Sequence, residues 1–185
     1  YKSLYRTYGT SVHNYKLDLG IQYTQKISKK DELTLGLTYT PGHNLHADAD
    51  MNIISSNAQT STSDTLAFSI NNAYELPTMM GAGLMWNHNH QWKVGFDYTL
   101  QKWGSLGYPT YAAKNNEPWA LRDGVYMDRS KFNLGFLYCY AENGRASFLK
   151  RVHYRAGVSY ATPYYKVNGV DGPKEISVSA GFGIP

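Results

Sequence analysis

The sequence predicts an all-β fold, an antiparallel up-and-down transmembrane β-barrel, on three observations. The first is a phrase of the form apolar, Gly, apolar, any residue, Tyr, which occurs five times and ends at Tyr23, Tyr39, Tyr98, Tyr138 and Tyr160. The second is that each copy lies in a longer run alternating apolar with polar or tiny residues, the period-two signature of a strand with two unlike faces. The terminal Tyr always falls on the apolar face, where a lipid-facing strand carries its interfacial aromatics. The third is composition: 17 Tyr and 17 Gly accompany only 17% charged residues, against about 25% in soluble domains. A mean hydropathy of -0.48, with no run of about 18 apolar residues, excludes a helical membrane protein. It leaves a barrel open, because loops and lumen are polar.

The elements follow in order. Residues 1–12 are weakly patterned and read as a strand end or a loop. A strand is expected over 15–27, with Tyr15, Leu17, Leu19, Ile21 and Tyr23 on one face. A turn at 28–31 leads into a return strand over 32–40, punctuated by Pro41-Gly42. A third strand is expected over 45–53, a Ser/Thr/Asn loop over 55–63 and a fourth strand over 65–76. The fifth, 80–86, is joined by a short turn at 87–91 to the sixth, 92–100, the clearest of all: Trp92, Val94, Phe96, Tyr98 and Leu100 oppose Lys93, Gly95, Asp97, Thr99 and Gln101. A long loop over 104–124 precedes a seventh strand over 125–140. A turn near Asn143-Gly144, an eighth strand over 152–160, a loop over 162–173 and a ninth strand over 175–184 complete the series. Short turns follow strands one, five and seven and long connections follow six and eight, as in outer-membrane barrels. With the turn at Asn87 on the periplasmic side, Trp86 and Trp92 share one girdle, and Tyr98 lies toward the outer face. Nine strands is an odd number, and an open edge is not tolerated in lipid. The chain therefore reads as one segment, 1–185, of an incomplete barrel. No signal peptide is present, which fits either a mature exported chain whose signal has been removed or an internal fragment.

Other classes find little support. The net charge of +4 is spread, with Lys29-Lys30 and Lys150-Arg151 the longest basic pairs, so no nucleic-acid partner is expected. One cysteine, Cys139, excludes an internal disulfide framework and reads as a small space-filling residue. No phosphate loop, nucleophile elbow or paired-Cys motif occurs, so neither an enzyme nor a cofactor is expected. His46, Asp48 and Asp50 share a strand face, but i, i+2, i+4 spacing spreads them over about 13 Å, too far for one ion. His88-Asn89-His90 reads as turn chemistry.

Several stretches resemble the long-chain fatty acid transporter (FadL-type) family of outer-membrane barrels. They are Tyr74-Glu75-Leu76-Pro77 through Gly83, Asn87 and Gln91-Trp92 to Asp97-Tyr98 and Trp103, then the strand from Val152 to Tyr160, Pro163, and Ser177-Val178-Ser179-Ala180-Gly181. The resemblance covers residues 64–185, and the first 60 residues only in style. It implies a 14-stranded barrel in the outer membrane of a Gram-negative bacterium that transports small hydrophobic compounds such as long-chain fatty acids past an N-terminal plug. That plug, with its Asn-Pro-Ala motif, and the closing strands do not occur in this chain. No ligand residue carries over.

Candidate residues fall into three groups. The polar face offers a substrate path: Lys93, Asp97, Lys131 and Arg155, with Gly95 and Gly157 leaving room beside them. The membrane-interface aromatics are Tyr23, Tyr39, Trp86, Trp92, Tyr98, Tyr138 and Tyr160. In the long loop Tyr108, Tyr111 and Trp119 are placed to capture an apolar ligand or a partner. The expected partners are membrane lipid, a small hydrophobic ligand and other outer-membrane or secreted proteins. The alternative function is a non-transporting barrel that serves as a binding or scaffold component of a secretion or surface-protein complex. A soluble β-sandwich is the remaining rival, and detergent dependence separates it.

Overall fold

The computed structural model describes residues 2–113, 117–140 and 147–184, and they are almost entirely antiparallel β-structure. The strands are β1 (Lys2–Gly9), β2 (Leu19–Lys26), β3 (Asp31–Thr40), β4 (Ala49–Asn57), β5 (Thr62–Ile70), β6 (Met79–His88), β7 (Trp92–Gln101), β8 (Tyr108–Tyr111), β9 (Trp119–Arg122), β10 (Arg129–Tyr138), β11 (His153–Ala161) and β12 (Glu175–Gly183). One short helix, α1 (Phe148–Arg151), precedes β11. Among the described residues no helix is long and apolar enough to cross a membrane.

Seven strands form the main sheet, in the order β12-β11-β10-β7-β6-β3-β2, every pairing antiparallel. The register aligns the alternating patterns into continuous rows. One row runs Tyr23–Leu35–Leu84–Phe96–Leu134–Val158–Val178, and the next Ile21–Leu37–Ala82–Tyr98–Phe132–Tyr160–Ile176. A one-residue slip anywhere would turn a strand's apolar set to the other face. Ile21, Leu37, Phe96, Leu134, Val158 and Val178 are 44–76% exposed, so this face is a broad unburied apolar surface. Such a surface on a water-soluble monomer is rare.

The connections sort by end. The turns after β2 and β6 are short, and in the second Asn89 and His90 both take positive φ, with Gln91 N–H donating to His88 O. That is the primed hairpin geometry that suits right-twisted strands. The link from β10 to β11, which carries α1, returns at this same end. All three long excursions, 41–78, 102–128 and 162–174, leave from the opposite end. The first holds the β4–β5 hairpin, on which β1 adds a third strand in the order β1-β4-β5. The second holds the β8–β9 hairpin. The third pairs back on the second: Lys166 N–H donates to Val125 O and Met127 N–H to Tyr164 O.

Several expectations are corrected. Residues 45–53 and 65–76 do not extend the main sheet. Their strands, β4 and β5, form the separate three-stranded sheet, which leaves seven strands in the main sheet instead of nine. The alternation of Ala47, Ala49, Met51 and Ile53 with Asp48, Asp50 and Asn52 is real. However, its apolar face is buried against protein. Residues 2–9 are a full strand, and the 55–63 stretch is mostly strand, with only 58–61 turning. The first main strand begins at Leu19, not at residue 15. The 104–124 loop contains a hairpin. The turn near Asn143-Gly144 lies outside the described residues. Among the described residues the main sheet does not close: β2 and β12 each pair on one side only. The buried core lies beneath the excursions and at the rims, with Met51, Pro77 and Cys139 the largest fully buried side chains.

Candidate functional site

The excursions build the candidate site. Small residues on β4 let the β8–β9 hairpin lie close. Trp119 Nε1–H donates to the Ala49 carbonyl at 2.9 Å, and its ring meets Tyr8 at 5.9 Å. Tyr111 is held between Phe68, at 6.3 Å, and the Arg6 guanidinium, 5.0 Å above its ring. Tyr108 stands edge-on to Tyr126 at 5.5 Å. Between these groups lies a cavity of about 470 Å³ lined by Arg6, Tyr8, Asp50, Tyr74, Tyr108, Tyr111 and Trp119, among others. Its size is that of a small-molecule site.

Beneath it an aromatic hub joins the excursions. Trp103 contacts Tyr126 at 5.5 Å and Tyr164 at 5.4 Å. Burial, with Tyr108, Tyr164 and Tyr74 nearby, pushes the Tyr126 phenol up to about 12, and burial raises Tyr74 likewise, with a smaller contribution from Tyr108. Both stay neutral hydrogen-bonding groups at any physiological pH. At the hub's foot Asp128 accepts from Lys102 Nζ at 2.9 Å and from Gly104 N–H at 2.9 Å. These two donors, Lys102 first, hold its carboxyl below the usual range.

The loop-capture residues Tyr108, Tyr111 and Trp119 are therefore brought together around one cavity. Arg6, Tyr8, Asp50 and Tyr74 also line it; the sequence offered none of them for this site, since Asp50 was weighed only as a metal ligand and Tyr74 only in the family resemblance. The signal was present, since Leu4, Arg6 and Tyr8 alternate with Ser3, Tyr5 and Thr7, a strand pattern obscured by its mixed polarity.

The substrate-path residues are not gathered into one site. Asp97 lies opposite Gly83 and Asn133, with its carboxylate over the space a Gly83 side chain would fill. Gly95 and Gly157 flank Gly135 on one row, and with Asp97 they share a shallow depression of about 280 Å³. Lys93 and Arg155 lie on the row nearer the short turns, on either side of Leu137, and Lys131 lies toward the excursions opposite Thr99 and Ala161. All four stand on the polar face, but at three heights.

The interface aromatics separate by register. Trp92 contacts Tyr138 at 4.3 Å and Phe136 at 5.4 Å near the short turns, where Trp86 Nε1–H also donates to Asp31. Toward the excursions, Tyr98 meets Phe132 at 4.9 Å and Phe132 meets Tyr160 at 6.3 Å, with Tyr39 one row further out. Tyr23 pairs with Leu35 on the Phe96 row and so lies at mid-height. As for the acidic strand face, Asp48 accepts from the Asn72 N–H of a turn. No metal-holding cluster occurs among the described residues.

Fold and surface thus define an all-β chain with an open apolar sheet face and a structured, aromatic-rich end. The model of the BamG family matches residues 3–185, and the chain belongs to that family. This is a family of BAM complex components, which associates the chain with the outer membrane and with other outer-membrane proteins. No curated protein and no solved structure matches the chain.

The family corrects the resemblance to the fatty acid transporters and, with it, the transport function and the hydrophobic-substrate reading. The motifs behind that resemblance are inward Gly, outward aliphatics, and Tyr or Trp near strand ends. These meet general demands of a strand exposed to lipid on one face, so they do not distinguish one barrel family from another.

Proposed function

We propose that this chain is a non-transporting component of outer-membrane protein assembly. Its main sheet would be part of an integral barrel wall, and its excursions the surface offered to other assembly components. The observation that carries the proposal is the BamG family match over nearly the whole chain. The sheet supports the membrane part. Trp92 and Tyr98 lie six residues apart on the outward face of β7, roughly 20 Å along the strand, close to the ~25 Å apolar band of such barrels. On the Phe96 row between them, Leu35, Leu84, Leu134, Val158 and Val178 are all exposed. Because β2 and β12 are the first and seventh strands of an antiparallel series, they run in the same direction. Antiparallel closure therefore takes an odd number of further strands.

Depletion of the protein in its bacterium tests the function. Folded outer-membrane proteins should fall in abundance while their unfolded precursors accumulate. Unchanged levels of both would defeat the assembly reading.

A further inference from the structure

We infer that the short-turn end of the main sheet is a docking surface for an acidic polypeptide segment, with Lys29, Lys30, Lys93, Arg151 and Arg155 as the cations that meet it. The inference rests on the proposed function only in taking the segment to belong to another assembly component. It adds a second partner surface, at the end opposite the excursions.

Positive charge is concentrated there. Lys26, Lys29, Lys30, Lys150 and Arg151 lie in or beside the turns, and Lys93 and Arg155 lie on the nearest polar-face row. Against them stand only Asp31 and Glu32 among the described residues. Seven cations against two carboxylates make +5, while the whole chain carries +4, so everything outside this set sums to −1. Both carboxylates are already engaged. Glu32 pairs with Lys26 at 3.8 Å and accepts from Asn87 Nδ2 at 3.3 Å. Asp31 pairs with His88 at 2.7 Å and accepts from Trp86 Nε1 at 3.1 Å. Among the described residues Lys29, Lys30, Lys93, Arg151 and Arg155 have no carboxylate partner, and Arg151 Nε is buried without an acceptor. At the excursion end, by contrast, Lys16, Lys102 and Arg129 are paired with Asp18, Asp128 and Glu175.

The two faces of the sheet decide what neutralises these cations. Lys93 and Arg155 stand on the polar face on either side of Leu137, two strand spacings or ~10 Å apart. They flank a depression of about 380 Å³ with Gly95 and Gly135 in its wall. At this level the apolar face ends in the row Asp31–His88–Trp92–Tyr138–Tyr154–Phe182, which holds no Lys or Arg. An acidic phospholipid headgroup approaching from the apolar face meets aromatic rings there, not Lys93 or Arg155. A polypeptide crossing the end of the sheet reaches both the turns and the polar-face row. From β2 to β11 it crosses five strand spacings, ~24 Å, which about seven extended residues span. Its carboxylates supply the acceptors that the free cations lack, and such charge complementarity sets partner choice and orientation.

The test uses the full protein in a zwitterionic detergent. The probe is a fluorescent peptide of about eight residues alternating Glu with Ser, long enough for that span, with a Gln–Ser peptide as its neutral counterpart. Anisotropy should show that the acidic peptide binds and the neutral one does not, and that binding weakens as salt is raised. The double variant Lys93→Gln/Arg155→Gln should lower the affinity about tenfold, through two partly exposed charge pairs. Lys174→Gln, exposed at the excursion end, should leave it unchanged. Should the first variant fold poorly, Lys29→Gln/Lys30→Gln in the exposed turn decides, with a loss of the same order. No binding of the acidic peptide at low salt, equal affinity in wild type and both double variants, or an equal loss with Lys174→Gln would each overturn the inference. Acidic phospholipid retained by the wild type and lost from Lys93→Gln/Arg155→Gln would assign the cations to lipid and overturn it too. Peptide binding is read on the purified protein and assembly in the cell, so the failure of either leaves the other standing.

Discussion

Asp128 shows how one side chain sets the geometry of a whole excursion. Its two oxygens accept from Lys102 and from the Gly104 N–H, fastening the departure of the 102–128 segment to its return just before β10. Removing the charge with Asp128→Asn is expected to loosen this base. The carboxylate is well solvated, so the stability cost should be small, about 0.5–1 kcal/mol. Limited proteolysis should show faster cleavage within 102–128 and little change elsewhere. The pH dependence has a definite sign. The folded carboxyl is held below its ordinary value, so its contribution is complete above the unfolded value near ~4. It is lost as pH falls through the lower folded value. Wild-type cleavage should therefore approach that of Asp128→Asn only in acid, while at pH 5–8 the difference should be constant.

Glycine offers a second contrast at this scale. A Cβ on Gly42 would stand 2.7 Å from both the Leu76 carbonyl and the Thr78 nitrogen, which are backbone atoms, whereas a Cβ on Gly135 meets nothing within 4 Å. Gly42→Ala should destabilise by about 1–3 kcal/mol through overpacking. Gly135→Ala should be neutral or gain about 0.4–1 kcal/mol by restricting the unfolded chain. Thermal melts in detergent will distinguish them.

At the scale of elements, the strands of the main sheet were legible because the two faces of the sheet impose opposite demands on alternate residues. Trp92, Val94, Phe96 and Tyr98 against Lys93, Gly95, Asp97 and Thr99 can be arranged only one way. The same alternation in β4 misled, because period two reports a buried face without reporting what buries it. Side-chain size carried the missing information. Ala47, Ala49 and Met51 suit close packing beneath a hairpin, while the outward residues of β7 and β10 are Phe, Tyr, Trp and Leu. The cavity was half legible. Tyr108, Tyr111 and Trp119 stood out as aromatics in a long connection, but their neighbours Arg6, Tyr8 and Asp50 arrive through the β1–β4 pairing, which links residues some 50 positions apart, and Tyr74 through the segment after β5, whose carbonyl accepts from Leu45 N–H.

The proposed assignment of the apolar face to lipid is testable strand by strand. Single cysteines at Leu37, Phe96 or Val158 should resist a water-soluble maleimide in native membranes, and cysteines at Asn133 or Ser159 should react. Cys139 is only 1% exposed, so the background should be silent. Equal labelling of both sets would remove the lipid-facing assignment.

At the scale of the molecule, the two ends differ. The short-turn end carries Lys26, Lys29, Lys30, Lys150 and Arg151 against Asp31 and Glu32, so two basic pairs 121 residues apart in the sequence lie at the same end of the sheet. The other end carries nearly all the irregular structure, the aromatic hub and the cavity. The proposed function assigns the apolar sheet face to lipid and the excursions to recognition, as suits a component held in the membrane beside its partners. The most direct measurement is to isolate the tagged protein from native membranes in mild detergent and identify what accompanies it. The account predicts that BAM complex components co-purify in stable proportion, and that the protein leaves the membrane only with detergent. Recovery of the protein alone, or its release by salt or alkali without detergent, would contradict it.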